Sequence, residues 1–452
     1  MRVAPPPSPR VSGPPAPTQS ARPHRLCLVA HAYYEEDARV RRQAETLVRQ
    51  GWEVHVLGLR RPGEAASATI DGVELERLDV RRHQGAGVAT YLAEYLAFFA
   101  RAGLAALRAH RGRPFSVAQA ASLPDFLIFS LLPLKLAGVP LVLDLHEAMP
   151  EFFRARFPGA AGRLPLAALR LQERWSCRLA DAVLTVNATL GERLVGLGLA
   201  PAKLLVVHNS PDPRRFDPSS RPARAFMADG TLRLVYAGAL TPTYELEVAV
   251  DAIAVLKERR PELRVCLELY GRGDSDGPLR AQVARLGLDD RVRLGGRIPL
   301  GSVPAAIAAA DIGLAPTRRD PFADLSLSAK ILEYAAMGKP VVASRLPTAA
   351  RYFPPDSLAT YAPGSADDLA AVLLRLVDDP AERAGREAAT RACLVELSWE
   401  HEASAYVGLL EGLAARQGRA GGLPAGSAPY GTIPGRGVPD RRPPFREDQT
   451  RP

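Results

Sequence analysis

The stretch SLSAKILEYAAMGKPVVAS, Ser326 to Ser344, reads as a helix, a glycine stop and a buried strand. Ser326 or Ser328 can cap the helix, and Gly338 can end it. Ile331, Leu332 and Ala335 recur at the spacing of one packed face. VVAS then starts an apolar run of the kind found in sheets covered on both sides. Helix, glycine and strand make half of a βαβ unit, so the stretch predicts a parallel sheet. It also raises a question: Lys330 and Glu333 stand one turn apart near the N-terminal end of a helix otherwise built to pack.

The same rhythm extends in both directions. Upstream, RLCLVAH is a short strand pattern, EEDARVRRQAETLVRQG an amphipathic helix closed by Gly51, and WEVHVLGL a second strand. VPLVLDLHE, DAVLTVN and KLLVVHN follow, each bounded by turn residues with helical patterns between. The pattern pauses at SPDPRRFDPSSRPARAFMADG and restarts with LRLVYAGAL, RVCLELYG, RVRLGG, IGLAPT, KPVVAS and LATYAPG. A helix from about Trp399 to Arg416 follows the second set. The prediction is an α/β chain with two doubly wound, Rossmann-like parallel-sheet domains in tandem, at 24–210 and 231–416, joined by a linker at 211–230. Ligands in such sheets bind outside the carboxyl ends of the strands, here in the cleft where the domains face each other. Residues 1–23 and 417–452 are rich in Pro, Gly and Arg and poor in aliphatics, and are expected to be disordered tails.

Composition agrees with two cores: 452 residues, of which 47% are hydrophobic and 24% charged. The net charge of +9 is carried by residues spread along the chain with no nucleic-acid-binding motif, so a nucleic acid is not an expected partner. Five of the 58 basic residues are lysine, which leaves 53 arginines and makes Lys330 a scarce residue type here. Four separated cysteines form no CxxC and point to a reducing compartment. The proline-rich start lacks the apolar run of a secretory signal, and FLIFSLLPLKLAGVPLVLDLH is broken by Lys135, prolines and a glycine. A cytoplasmic protein is expected. The helix pattern Val88 to Arg113 is apolar over much of its surface and ends in basic residues; it fits either a buried helix or one lying on a membrane.

At the opening stretch, the unpaired amides of a helix N-terminus and Lys330 favour an anion such as a diphosphate. Glu333, one turn on, can accept hydrogen bonds from neighbouring hydroxyls such as those of a ribose. The plain alternative is an exposed ion pair worth about 0.2–0.5 kcal/mol. GRGDSDG holds an Asp-x-Asp, Asp274 and Asp276, that could bind a metal but reads more simply as a solvated turn. The first strand lacks GxGxxG, which argues against a dinucleotide. His146 alone could be a satisfied core histidine.

DPFADLSLSAKILEYAAMGKPVVAS resembles the donor-nucleotide motif of family 4 (group 1) glycosyltransferases, retaining enzymes of the GT-B fold. The resemblance runs in family order through EDARVRRQAETLVRQGWEVHVL, SLPDFLIFSLLPLKLAGVPLVLDLHEAMPEFF, RLADAVLTVNATL, KLLVVHNSPDPRRF, LVYAGALTPTYELEVAVDAIAVL, LELYGRGD, DRVRLGGRIPLGSVPAAIAAADIGLAP and LSWEHEASAYVGLLEGL. It implies a nucleoside-diphosphate sugar as co-substrate, no cofactor, no metal, and a glycan or lipid-linked acceptor, with the enzyme free in the cytoplasm or peripheral at the inner face of the membrane. By position it implies that Glu333 binds the donor ribose and that Ser328 and Lys330 address the diphosphate. Arg297 and Ile298 would flank the base, and Gly238, Gly271 and Gly273 would give the ligand room. His146 would face the reacting sugar. Tyr33, Tyr34, Asp125 and Glu147 fall where the acceptor would be touched, although ordinary loop aromatics and capping or surface acids fit the same positions equally well.

Three departures bear on activity. Leu325 stands where many relatives carry a first carboxylate, with Asp324 one residue off. Tyr33 and Tyr34 replace a glycine-rich first loop. Ala239 and Glu245 stand where relatives often have a basic pair gripping the phosphates, so Arg318 and Arg319 are expected to supply that charge. Two rival readings follow: a nucleotide-sugar 2-epimerase on the same fold, and a degenerate nucleotide-sugar-binding protein kept open by Ala239 and Glu245.

Overall fold

The structure is a computed structural model that describes residues 23–83, 87–157, 159, 162–221 and 224–418. Most of both expected tails therefore lies outside the described residues. Among the described residues, fourteen strands form two sheets. The first sheet holds β1 (Arg25–Ala30), β2 (Glu53–Leu59), β3 (Ser67–Ile70), β4 (Val73–Leu78), β5 (Val117–Ala121), β6 (Leu141–Leu145), β7 (Ala182–Thr185) and β8 (Leu204–Val206), in the order β3-β4-β2-β1-β5-β6-β7-β8. The second holds β9 (Thr231–Ala237), β10 (Arg264–Tyr270), β11 (Val292–Gly296), β12 (Ile312–Ala315), β13 (Val341–Ser344) and β14 (Ala359–Tyr361), in the order β11-β10-β9-β12-β13-β14. Both have helices on their two faces, and each face has its own apolar cluster. The two domains and their parallel sheets match the expectation.

Three elements do not. β3 pairs antiparallel with β4 through the turn Asp71–Gly72, where both residues have positive φ, 51° and 79°. The signal was present in sequence, an Asp-Gly between alternating residues. β5 is the central neighbour of β1, yet its sequence, VAQAA, has one β-branched residue and no strand signature. The last helix, Trp399–Gly418, follows the second sheet in sequence but packs on the first. Trp399, Tyr406, Leu410 and Leu413 share a cluster with Leu26, Val54 and Val117, and the Trp399 indole donates to Thr46 Oγ1 at 3.0 Å. The chain thus crosses between domains a second time at its end.

Strand order reverses between β1 and β5 in one sheet and between β9 and β12 in the other. Loops leaving adjacent strands at such a point diverge to opposite faces and leave a crevice. The two crevices face each other and merge into one cleft of about 860 Å³. His31 and Tyr33 after β1, Ser122 after β5 and His146 after β6 line one side; Ala239 after β9, Thr317 after β12 and Ser344 ending β13 line the other. Among the described residues, no helix is long and apolar enough to cross a membrane.

Candidate functional site

The opening stretch forms the helix Ala329–Ala336, whose N-terminal end enters the cleft wall at Ser328, Ala329, Lys330 and Ile331. Ser328 occupies the N-cap position, but its hydroxyl bonds none of the helix amides; Ser326 Oγ donates instead to Phe322 O at 3.0 Å. The first turn therefore keeps its amides and a free hydroxyl beside the cleft. Lys330 is 8% exposed and has no carboxylate at ion-pair distance. Its ammonium lies 3.8 Å from the centroid of Tyr244 and 5.0 Å from that of Tyr236. Two aromatic faces hold the cation without neutralising it. A side chain at Gly238 would run into Lys330, so this glycine makes room for the lysine rather than for a ligand.

Glu333 is half-buried and does not itself line the cleft. Among the described residues, neither a hydrogen bond nor an ion pair holds its carboxylate. Burial pushes the acid up to about 7, against the pull of Lys330 and of Arg42 in the first domain. The plain reading of an exposed Lys330–Glu333 pair does not hold: the lysine is buried on tyrosines, and the carboxylate has its acceptor capacity unspent.

The opposite wall is built on His146, just past β6 and 7% exposed. Its Nε2 stands 2.8 Å from Asp144 Oδ2, and its backbone amide donates to Ser122 Oγ at 3.0 Å. Burial alone would raise the Asp144 carboxyl, but His146, the Gln43 amide and Arg39 hold it below its ordinary value. An ionised carboxylate only accepts, so Nε2 carries a proton toward Asp144, while Nδ1 has no partner among the described residues. Behind Asp144 runs a buried chain. Gln43 Nε2 donates to Asp144 at 2.8 Å, Gln119 Nε2 to Gln43 Oε1 at 2.8 Å, and Tyr406 Oη to Gln119 Oε1 at 2.8 Å. The terminal helix thus reaches the histidine through a fully hydrogen-bonded path.

Several expected residues stand elsewhere. Gly271 and Gly273 do not line the cleft: a Cβ on either would strike the backbone of Gly238 or Leu240, so they let the two loops close on each other. Ile298 also lies off the cleft wall, while Arg297 lines it and pairs with Glu36 across the domains. Arg318 pairs with Glu247 and Arg319 with Asp324 at 3.4 Å; neither lines the cleft, which corrects the expectation that they supply the charge there. Glu245 does not face the cleft either. Its Oε1 accepts from Ser344 Oγ at 3.1 Å and Tyr361 Oη at 2.9 Å below the cleft floor, and burial raises its acid against those two bonds. No acid therefore opposes a diphosphate at this position, which removes one ground of the degenerate-protein reading.

On the first domain, Tyr33 and Glu147 line the cleft; Arg61 covers the Tyr33 ring at 4.3 Å, and burial raises Glu147 against Arg39 and His146. Tyr34 is a core residue, 3% exposed among Val40, Leu47 and Val73. Asp125 is fully buried, with neither oxygen hydrogen-bonded; burial first, then Glu173, puts its acid well above the usual carboxylate range. Neither touches the cleft. Leu325 packs against Ala148, Val186 and Leu190 of the first domain, and its carbonyl accepts from Asn187 Nδ2 at 2.9 Å. It fastens the domains where a carboxylate could have met a sugar. Asp274 pairs with Arg156 at 2.6 Å across the cleft, and Asp276 with Arg280 at 3.3 Å.

Sequence reasoning missed Arg39, Arg82 and Arg156, which add positive charge to the first domain's wall, and the aromatic group of Tyr91, Tyr95 and Phe152 beside them. No spacing rule would have gathered residues from so many separate loops. Tyr244 was legible only as a neighbour of Glu245.

Residues 37–210 match the family described as Glycosyl transferase 4-like domain, and residues 231–379 that described as Glycosyl transferases group 1. The MMP alpha-(1->4)-mannosyltransferase of Mycolicibacterium hassiacum is 27% identical over 296 residues, which cover 63% of this chain and 68% of that protein. The 2-deoxystreptamine glucosyltransferase of Streptomyces kanamyceticus is 26% identical over 268 residues, 56% of this chain and 66% of that one. Among solved structures, sucrose-phosphate synthase from Thermosynechococcus elongatus gives a TM-score of 0.68 at 17% identity, covering 87% of this chain and 100% of that one. Anabaena HepE in complex with UDP-glucose gives 0.63 at 16% identity, covering 86% and 99%. At these identities the structural likeness speaks to the fold.

Proposed function

The chain belongs to the group 1 glycosyltransferases of GT-B architecture, and from that premise we propose that it transfers a sugar, with retention of configuration and without a bound metal ion, from a nucleoside-diphosphate sugar to a glycan or lipid-linked acceptor. The observation that supports this best is the free binding capacity on the helix Ala329–Ala336: an unspent Ser328 hydroxyl, an unneutralised Lys330 and an unpaired Glu333. Lys330 and the first-turn amides would hold the diphosphate, and a nucleoside reaching past them would give its ribose hydroxyls to Glu333. A UDP-sugar is the first donor to try, since HepE is described with UDP-glucose.

In this reading the bond between the anomeric carbon and the diphosphate oxygen breaks, and its electron pair leaves with the phosphate. The acceptor oxygen bonds the same carbon from the same face and passes its proton to the departing phosphate oxygen. The chain's own part is to position both substrates and stabilise the charge developing on the diphosphate. As the neutral imidazole, with its Nε2 proton held by Asp144, His146 would take a hydrogen bond at Nδ1 from a hydroxyl of the transferring sugar. The product would belong to cell-surface glycan assembly.

Proton NMR of the first product formed from an α-linked donor tests the stereochemistry. An α coupling at the new anomeric centre supports the reading, and a β coupling rejects it. A free nucleotide with an epimerised sugar and no transfer would move the chain to the epimerase reading.

A further inference from the structure

We propose that one face of the first domain, formed by helices Val88–Gly112 and Arg163–Leu179 with the short helix Leu132–Leu136 between them, docks on an anionic lipid bilayer. Both long helices pack on the segment Asp125–Leu131 that runs into the short one, so the three are neighbours. Among the described residues, ten large apolar side chains are exposed, and nine of them lie on these three helices. Leu136 is 81% exposed, Leu164 84%, Leu104 69% and Trp175 52%. A soluble surface scatters such residues; collecting nearly all of them on one side marks a contact surface.

The pattern along each helix fits a lipid better than a protein groove. On Arg163–Leu179, exposed Leu164, Leu171 and Trp175 recur at intervals of seven and four, a single stripe. Beside it, Arg163, Arg170, Arg174 and Arg178 recur at seven, four and four, all exposed and none paired with a carboxylate among the described residues. Opposite both stripes, Leu166, Glu173, Ser176 and Cys177 are buried. On Val88–Gly112, exposed Leu92 and Leu96 lie across from buried Phe98, Ala102 and Ala105. The acidic residues of the two long helices, Glu94 and Glu173, are buried and held by His31, His83 and Arg193. The charge that the two long helices show to solvent is therefore positive; on the short helix, Lys135 is paired with Asp181 at 2.5 Å. An apolar stripe flanked by unpaired arginines is what the interface of an anionic membrane selects.

The surface also adjoins the site. Val88 and Leu92, at the start of the first helix, are both exposed and part of the cleft wall. This continuity rests on the transferase reading only in assigning the acceptor: a lipid-anchored glycan held in the bilayer would enter the cleft from this side with its sugar end first.

Sedimentation of the full chain with vesicles tests the docking. Phosphatidylcholine with phosphatidylglycerol should pull the chain down, and phosphatidylcholine alone or raised salt should not. Arg170→Gln with Arg174→Gln should weaken binding roughly fivefold per arginine, and Leu171→Ser with Trp175→Ser should abolish it. None of these four residues lines the cleft, so nucleoside-diphosphate binding measured on the same variants reports separately on the donor site. Absence of vesicle binding, binding indifferent to lipid charge, or concentration-dependent dimerisation lost in the Leu171/Trp175 variant would each overturn the proposal.

Discussion

Glu333 offers a quantitative handle on the donor site. Its acid lies at about 7, against an ordinary 4.5, chiefly because burial disfavours the charged form. A ribose diol needs the carboxylate, so donor binding should follow its ionised fraction. That fraction is roughly one tenth at pH 6 and nine tenths at pH 8, which makes affinity about tenfold weaker at the lower pH. The ligand should be a nucleoside-diphosphate sugar, because the terminal phosphate of a free nucleoside diphosphate itself titrates near pH ~6. Calorimetric titration across this range should show the slope in wild type and none in Glu333→Gln, which binds weakly throughout. Stability without ligand should move the other way. The folded protein holds this proton more tightly than the unfolded chain, so it loses stability as pH rises from 4.5 toward 7, by up to about 3 kcal/mol. Glu333→Gln, freed of that cost, should unfold at a higher temperature than wild type at pH 8. A flat donor affinity in wild type, or an equal slope in the variant, refutes the reasoning.

Other positions separate site from scaffold. Asp144→Asn should cut turnover at least tenfold while leaving donor affinity unchanged, read as kcat against KM, because it reaches the cleft through the orientation and tautomer of His146. Tyr406→Phe breaks the far end of the same chain and should cost about 1 kcal/mol in chemical denaturation, with a smaller loss of turnover. Glu245→Ala should destabilise by about 1–3 kcal/mol, since it removes the carboxylate that accepts from both Ser344 and Tyr361 and leaves the two hydroxyls only each other, yet leave donor affinity alone; tighter donor binding would place Glu245 back beside the diphosphate. Gly273→Ala should lower the unfolding temperature and weaken donor binding together, by prising apart the loops that seat Lys330; an unchanged unfolding temperature would contradict the loop contact.

Much of this was readable in advance because it rests on local pattern. The helix–glycine–strand rhythm produced two parallel sheets, and the helix Ala329–Ala336 was legible from its own stretch, with Lys330 and Glu333 on it. Long-range geometry was not readable. Whether Glu245 faces a ligand or a buried serine and tyrosine depends on how its loop turns, and the sequence around it carries no mark of that. Arg318 and Arg319 adjoin the donor helix in sequence, but Glu247 and Asp324 draw them off. Asp125 and Tyr34 stand beside matched motifs; helices from elsewhere in the chain pack over the segment of Asp125, and the helix directly after Tyr34 folds back with β4 to bury the tyrosine. The terminal helix shows the limit most clearly: its apolar face could have served either sheet, and contacts of the folded chain, among them the indole–threonine, tyrosine–glutamine and His208–Glu402 bonds, tie it to the first.

The most direct measurement is release of nucleoside diphosphate from UDP-, GDP- and ADP-sugars by wild type and by Lys330→Ala, side by side. The account predicts that wild type turns over one of these donors and that the variant is slower by on the order of 30- to 100-fold, the worth of a charge-assisted contact to the leaving diphosphate. Equal rates in the two proteins, or no release from any donor, would contradict it.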